Sequence, residues 1–278
     1  MSNILVIGSS GMTGRRLLPR LTARGATVRP TRRTAGDGHV RFVWEDPATH
    51  AAALANVDAI YLVPPGFVAA PAPIVKPFLA AALTAGVQRV VVCSSLGAEI
   101  SPGPVRDGWR AFERSVIESE LAWTILRPGG FAQNFTEGFL APGVHQGVVV
   151  SATGDGAAAF IDADDIAAVA VEALLDPAHA GATYALTGPA ALTFEQATRV
   201  VAELAARPIA YRAITSEELR HMLTGFGLPA DYAALVVADQ EAIRDGRGAR
   251  ISSDVERVLG RSPTSFREAI RDQLHARR

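Results

Sequence analysis

The run Gly8-Ser9-Ser10-Gly11-Met12-Thr13-Gly14 spaces three glycines in a way that can do chemistry in this 278-residue chain. A Gly triplet of this kind holds a dinucleotide pyrophosphate only where a strand precedes it and a helix follows. The phosphate oxygens need backbone N–H groups presented at a helix N-terminus. Both conditions are met, because Asn3 to Ile7 reads as a buried strand and Arg15, Leu17, Leu18 and Leu21 continue as an amphipathic helix. Gly8 permits the tight turn, Gly11 lets backbone approach the phosphates, and Gly14 lets the helix pack closely on the sheet. Ser10, Met12 and Thr13 complete the cradle. The alternative is an ordinary Gly-rich connection between a strand and a helix.

The end of the second strand separates the two nicotinamide cofactors, since an acidic residue there would accept the ribose 2′-hydroxyl of NAD. The segment Val28-Arg29-Pro30-Thr31-Arg32-Arg33 carries no such acid. A guanidinium fork instead suits a 2′-phosphate through charge-assisted contact, with Arg32 the first choice and Arg33 the second. NADPH is therefore the expected cofactor. Two alternatives stand beside it: solvated loop arginines, or an NAD preference through Asp37, although Gly36-Asp37-Gly38 reads as a turn.

These residues need a parallel sheet to position them. Val- and Ile-rich runs near residues 3–7, 26–31, 39–44, 58–63, 88–93 and 122–127 alternate with helical stretches near 12–24, 48–55, 72–85 and 107–120. Such βαβ alternation predicts a doubly wound parallel-sheet Rossmann fold, with its ligand crevice at the carboxyl ends of the strands. Beyond residue 128 the pattern loosens into turns at Pro128-Gly129-Gly130, Pro142-Gly143 and Gly154-Asp155-Gly156. Helices near 163–175, 194–206, 215–224, 230–245 and 264–276, with strands near 182–186 and 208–212, form a smaller, mostly helical substrate region. The expected organisation is a dinucleotide-binding domain over residues 1–150 and a substrate-side region over 151–278, partly interleaved with it.

Composition narrows the partners. A net charge of −1 with 49% hydrophobic residues gives no electrostatic footprint for nucleic acid or an anionic membrane, so a small hydrophobic or aromatic molecule is expected. Cys93 is the single cysteine, which excludes an intrachain disulfide and multi-cysteine metal sites. No metal is expected. The chain starts without a signal-like segment and has no long apolar run, so a cytoplasmic protein, monomeric or homodimeric, is expected.

Several phrases carry a family resemblance. Asp58-Ala-Ile-Tyr-Leu-Val-Pro-Pro65, Val90-Val-Val-Cys-Ser-Ser95 and Leu126-Arg-Pro-Gly-Gly-Phe-Ala-Gln-Asn-Phe135 resemble the NmrA-like group of atypical short-chain dehydrogenases. Phe160-Ile-Asp-Ala-Asp-Asp-Ile166, Leu186-Thr-Gly-Pro189 and Gly227-Leu-Pro-Ala-Asp-Tyr232 look most like the festuclavine and agroclavine dehydrogenase branch. The resemblance implies Val63, Pro64 and Pro65 along the nicotinamide ribose, Ser94 and Ser95 beside the nicotinamide, and Pro128 to Phe131 across its ring. It also implies Asp46 near the adenine. Asp162, Asp164 and Asp165 are expected to cap the helix that begins near Ile166 rather than to form a catalytic cluster.

Ordinary short-chain dehydrogenases protonate the product alcohol with a tyrosine activated by a lysine four positions later. Tyr61, Tyr184, Tyr211 and Tyr232 all lack that lysine, and Lys76 is the only lysine in the chain. A neutral ketone develops alkoxide charge that needs a donor, whereas hydride addition to an iminium or a cationic dye neutralises charge and a quinone delocalises it. The sequence therefore points to an activated acceptor, within secondary metabolism. Ser95 and Tyr232 are the candidate catalytic donors, with Arg110 or Glu113 able to orient a polar substrate. Their alternatives are cofactor binding for Ser95, core packing for Tyr232 and a surface helix pair for Arg110 with Glu113. Phe67, Trp109, Phe131, Phe135 and Phe139 are the candidate pocket walls, or else core aromatics. A redox-sensing regulator without turnover is the rival function, and a non-redox role that keeps the cofactor structurally is a third.

Overall fold

The computed structural model describes residues 2–275. Its first elements are β1 (Asn3–Val6), α1 (Gly14–Ala23), β2 (Thr27–Arg32), β3 (Val40–Arg41), α2 (Ala48–Leu54), β4 (Ala59–Leu62) and α3 (Ala72–Thr84). They are followed by β5 (Arg89–Cys93), a short α4 (Gly97–Ile100), α5 (Asp107–Ile117) and β6 (Ala122–Pro128). Next come α6 (Ala141–Gln146), β7 (Val148–Ser151), β8 (Ala157–Ala158), α7 (Ala163–Leu175) and β9 (Ala182–Leu186). The last are β10 (Leu192–Thr193), α8 (Phe194–Ala205), β11 (Ala210–Ala213), α9 (Ser216–Gly225), α10 (Ala230–Arg244), α11 (Asp254–Leu259) and α12 (Phe266–His275).

Seven strands lie in the order β3-β2-β1-β4-β5-β6-β9, and neighbours from β3 through β6 pair in parallel. The strand order reverses between β1 and β4, the switch point where a doubly wound sheet opens a crevice beyond its carboxyl ends. Register fixes what stands at that edge. Val6 pairs with Pro30 and with Tyr61, Leu62 with Val92, and Cys93 with Leu126. Continuing each strand by one or two residues brings Arg32, Gly8, Val63, Ser94 and Arg127 to the same end of the sheet. β1 and β4 are almost wholly apolar because both faces of a parallel sheet are buried.

The chain divides into two compact units that interleave along the sequence. One comprises Met1–Ser95, Asp107–Arg127 and Ile166–Tyr184, and the other Leu96–Arg106, Pro128–Asp165 and Ala185–Arg278. Residues 96–106 and 128–150 fall in the second unit and 166–184 in the first, so the units interleave across the expected boundary at residue 150. The physical reason lies in α7, whose Ile166, Val169, Ala170, Ala173 and Leu174 are buried. So apolar a helix must be covered by other elements. In the first unit it is fixed by the Arg24–Glu172 ion pair at 2.5 Å and by the Leu174 carbonyl, which accepts from Arg89 at 2.6 Å. The 128–162 stretch also holds regular structure that its turns conceal in the sequence, since β7 pairs in parallel with β11 and β8 antiparallel with β10.

The first unit's core gathers Leu5, Ile60, Phe78, Val90, Phe112 and Ile125. The second is built on Phe135, Phe160, Phe194 and Phe266, with ring centroids 5.2 to 6.0 Å apart. Phe135 is fully buried there, which removes it from the candidate pocket walls. Truncating a side chain so enclosed leaves a cavity that its neighbours cannot fill. Phe135→Ala should cost about 3–5 kcal/mol of stability in urea denaturation and leave the dinucleotide affinity of the folded fraction unchanged.

Candidate active site

Backbone geometry explains two of the three turn glycines. Gly8 has φ +80°, and a Cβ there would meet the Val63 side chain at 3.1 Å. A Cβ on Gly14 would lie 2.2 Å from the Gly8 carbonyl oxygen and 2.8 Å from the Ser9 Cα, so α1 approaches the strand end as closely as backbone permits. Gly11 is different. It is solvent-exposed, and its Cβ position meets only the Gly8 carbonyl, at 3.1 Å.

The turn is tied down on both sides. Ser9 Oγ donates to the Thr31 carbonyl at 2.7 Å, and Thr31 Oγ1 to the Val6 carbonyl at 3.0 Å. Tyr61 Oη, fully buried on β4, donates to Thr13 Oγ1 at 2.8 Å. Burial raises the Tyr61 phenol well above its ordinary range and pushes the neighbouring Cys93 thiol up to about 11. Both groups thus stay neutral under the turn. The start of α1 carries no side-chain cap and no acid in its first turn, so no carboxylate competes for its N–H groups. An open Gly11, a fixed loop and an uncapped helix start together fit a pyrophosphate.

Arg32 ends β2 and, like Arg33, is exposed. Asp37 comes within 3.8 Å of Arg32, but both side chains are largely in water, where such a pair contributes about 0–1 kcal/mol. Asp46 pairs with Arg41 at 2.9 Å, and its own carbonyl accepts from Thr49 Oγ1 at 2.7 Å.

Beyond β4, Pro64 and Pro65 are buried and Phe67 is exposed with φ +60°, a left-handed conformation that costs a bulky residue about 1–3 kcal/mol. Ser94 is buried and Ser95 half-buried at the end of β5. Trp109 packs on the first unit's core, edge-on to Phe112 at 6.0 Å, so it too serves packing. The Arg110–Glu113 surface pair, the alternative to a substrate-orienting role, is not made. Arg110 pairs with Asp107 at 3.0 Å, while Glu113 is buried, accepting from Ser94 Oγ at 2.6 Å and from Arg127 Nε at 3.0 Å and Nη2 at 2.6 Å. Its signal lay in the period of α5, which sets Glu113 on one stripe with Trp109 and Val116. A carboxylate in an apolar stripe implies a buried partner.

In the second unit Pro128 is buried, Phe131 half-buried and Phe139 exposed. Tyr232, half-buried near the start of α10, has its phenol raised by burial and pulled down by Arg106. Arg106 is in turn held by Asp239, which also accepts from Ser101 Oγ at 2.6 Å. Of the acidic trio, Asp162 caps the helix as expected, while Asp165 is held by a different segment. Asp162 accepts from the Asp164 N–H at 3.0 Å as α7 begins, and burial raises its pKa. Asp165, fully buried, accepts from Arg261 and from the Thr264 N–H, each at 2.6 Å.

A parallel sheet ordered 3-2-1-4-5-6 with a glycine turn at its reversal defines a Rossmann-type dinucleotide-binding protein. The family described as NAD(P)H-binding matches residues 8–177, more than half of the chain, and the chain belongs to it. It is similar to the uncharacterized oxidoreductase YesF of Bacillus subtilis, at 38% identity over 270 residues covering 95% of this chain and 93% of that protein. The NAD(P)H azoreductase of Xenophilus azovorans is 32% identical over 283 residues, 95% of this chain and 96% of that protein. Festuclavine synthase II of Penicillium roqueforti is 28% identical over 286 residues, 98% of each, so the clavine resemblance holds alongside bacterial relatives of higher identity. The NADPH complex of the quinone oxidoreductase QOR2 of Escherichia coli shares the fold, with a TM-score of 0.81 at 22% identity, covering 98% of this chain and 99% of that one. The chain is an NAD(P)H-dependent oxidoreductase. Among the described residues no helix is long and apolar enough to cross a membrane.

The two exposed-to-buried extremes of the turn are separable. Gly11→Val should fold yet weaken dinucleotide binding at least tenfold by filling the approach to the backbone. Gly14→Val should fail to give a cooperative thermal transition, because its Cβ meets immovable backbone. A folded Gly14→Val variant, or an undiminished affinity in Gly11→Val measured by calorimetric titration, would show that the turn is misread.

Proposed function

We propose that the protein is an NADPH-dependent reductase delivering hydride to an activated acceptor: an iminium, an imine or azo group whose nitrogen takes its proton from solvent, or a quinone-like conjugated carbonyl. One observation carries the acceptor class. The chain has a single lysine, Lys76, exposed on α3, and no tyrosine has a lysine four residues on. On α5, a stretch where the dyad of ordinary short-chain dehydrogenases would fall, the buried polar groups are Ser115, which donates to the Phe112 carbonyl, and Glu113, a carboxylate already engaged by Arg127 and Ser94. Three tyrosines are committed elsewhere: Tyr61 to Thr13, Tyr184 to His179 at 2.8 Å and Tyr211 to Ser151 at 2.9 Å. The azoreductase relative, whose name states reduction of an N=N bond, supports the same electrophile class.

The bound reduced nicotinamide supplies the hydride. The chain's own residues bind and orient. The Gly8–Gly14 turn takes the pyrophosphate, and Arg32, with Arg33 beside it, takes the 2′-phosphate. A phosphate dianion outcompetes the exposed Asp37 for Arg32, since charge-assisted bidentate contacts exceed a solvated ion pair. Phe67 offers an exposed aromatic face beyond β4 for a flat, apolar acceptor. Ser95 and Tyr232 are donors of secondary importance, because a cationic acceptor loses charge on reduction and a quinone spreads it.

Two outcomes are expected. The wild type should bind NADPH more tightly than NADH, and Arg32→Ala should weaken NADPH about 10–100-fold while leaving NADH unchanged. Equal affinities for the two cofactors in the wild type contradict the assignment. With a cationic iminium acceptor, Ser95→Ala and Tyr232→Phe should each lower kcat by about tenfold or less, roughly 1.4 kcal/mol. A thousandfold loss in either, with folding and cofactor binding intact, identifies a dedicated acid and overturns the mechanism.

A further inference from the structure

The buried Ser94–Glu113–Arg127 group lies in the first unit, outside the glycine turn, and the hydride transfer proposed above gives Glu113 and Arg127 no task. Ser94 follows the last residue of β5, and the Cys93–Leu126 pairing sets it beside Arg127 on β6. Its backbone N–H donates to the Leu126 carbonyl at 2.7 Å, which fixes the main chain there. Glu113 reaches the pair from α5 and is 4% exposed. Arg127 donates to both of its oxygens, at 3.0 and 2.6 Å. The 2.6 Å contact between Ser94 Oγ and Glu113 Oε1 must then be a donation by the serine. That settles the polarity of Ser94. Its one hydroxyl proton points at Glu113, and only lone pairs are left for any ligand.

Sheet order says which ligand atoms come within reach. With the pyrophosphate at the end of β1 and the adenosine phosphate at Arg32 on β2, the nicotinamide half must run the other way, over β4 and toward β5. Each strand step is about 4.8 Å, so β5 lies about 10 Å from β1, within the reach of a nicotinamide riboside. A nicotinamide carries one N–H₂ donor, on its carboxamide, and an acceptor-only serine matches it.

We propose that Glu113, held by Arg127, locks Ser94 as a hydrogen-bond acceptor for the nicotinamide carboxamide, making Glu113 a positioning residue for the cofactor ring. Holding the carboxamide would restrict the ring's rotation about its glycosidic bond and hence which face is turned toward an acceptor. The inference deepens the cofactor site and is independent of the acceptor class.

The test compares NADPH with its reduced 3-acetylpyridine analogue, which replaces the carboxamide N–H₂ with a methyl group and keeps the 2′-phosphate. Equilibrium dissociation constants are measured without acceptor for wild type, Ser94→Ala and Glu113→Gln. The wild type should prefer NADPH about five- to tenfold, the worth of one neutral hydrogen bond. In Ser94→Ala the ratio should fall to about one, through a loss in NADPH affinity alone. Glu113→Gln can present its amide N–H₂ to Ser94, turning the serine proton outward, and should also bring the ratio to one or below. A structural role alone would weaken both ligands in parallel and preserve the ratio, which overturns the proposal. Should Glu113→Gln fail to fold, Ser94→Ala decides by itself. Because both ligands carry the 2′-phosphate, loss of NADPH-over-NADH preference would leave this ratio untouched and is separately readable.

Discussion

The contact between α1 and the end of β1 is the constraint on which the site depends. A single methyl group on Gly14 would fall 2.2 Å from the Gly8 carbonyl, so helix and strand can meet at this distance only through glycine. Bringing them this close sets the uncapped start of α1 directly over the switch point of the sheet, where the helix dipole and backbone N–H groups favour an anion. The bonds from Ser9 to Thr31 and from Tyr61 to Thr13 then anchor the turn to β2 and β4. Both bonds are buried, so the loop inherits the rigidity of the strands. A site built this way needs little ordering when dinucleotide binds.

The buried charges tell a parallel story about chemistry. Glu113 with Arg127, Asp165 with Arg261 and Asp239 with Arg106 are each spent on holding elements in place. A buried charge left without its partner is costly, so these groups are poorly suited to trade protons during turnover. The polar side chains at the carboxyl edge can bind and orient. In the proposed function, proton demand falls on the acceptor's own electronics, and absence of a tyrosine-lysine pair restricts the electrophile rather than abolishing reactivity.

The first half of the fold was legible in the sequence because strand and helix periods there are uninterrupted. α1, α2, α3 and β1 to β6 fall at or near the expected positions, and α7 matches its expected bounds. β7 and β8 were hidden by the glycines that flank them, Gly147 before β7 and Gly154 and Gly156 before β8, which read as turns. Interleaving of the units was visible only in part, because an apolar helix announces burial without naming the sheet it covers. In the candidate site, the tight turn at Gly8 and the close approach at Gly14 could be read from local mechanics. Phe135 could not, as its type suits a pocket wall and a core equally, and only its packing against Phe160, Phe194 and Phe266 decides. Glu113 was noticed for the wrong partner: spacing along α5 suggested Arg110, whereas the sheet brings Arg127, fourteen residues away, to the same carboxylate.

Central to all of this is hydride transfer to an electrophile that needs no protein acid. The most direct measurement is single-turnover oxidation of protein-bound NADPH, followed at the nicotinamide absorbance. Rapid mixing would compare a quinone or iminium acceptor with an unactivated aromatic ketone of similar size. Saturable oxidation by the activated acceptor, at least about a hundredfold faster than by the ketone, is the expected result. Reduction of the ketone at an equal or greater rate, or no oxidation by any acceptor despite tight NADPH binding, would contradict it.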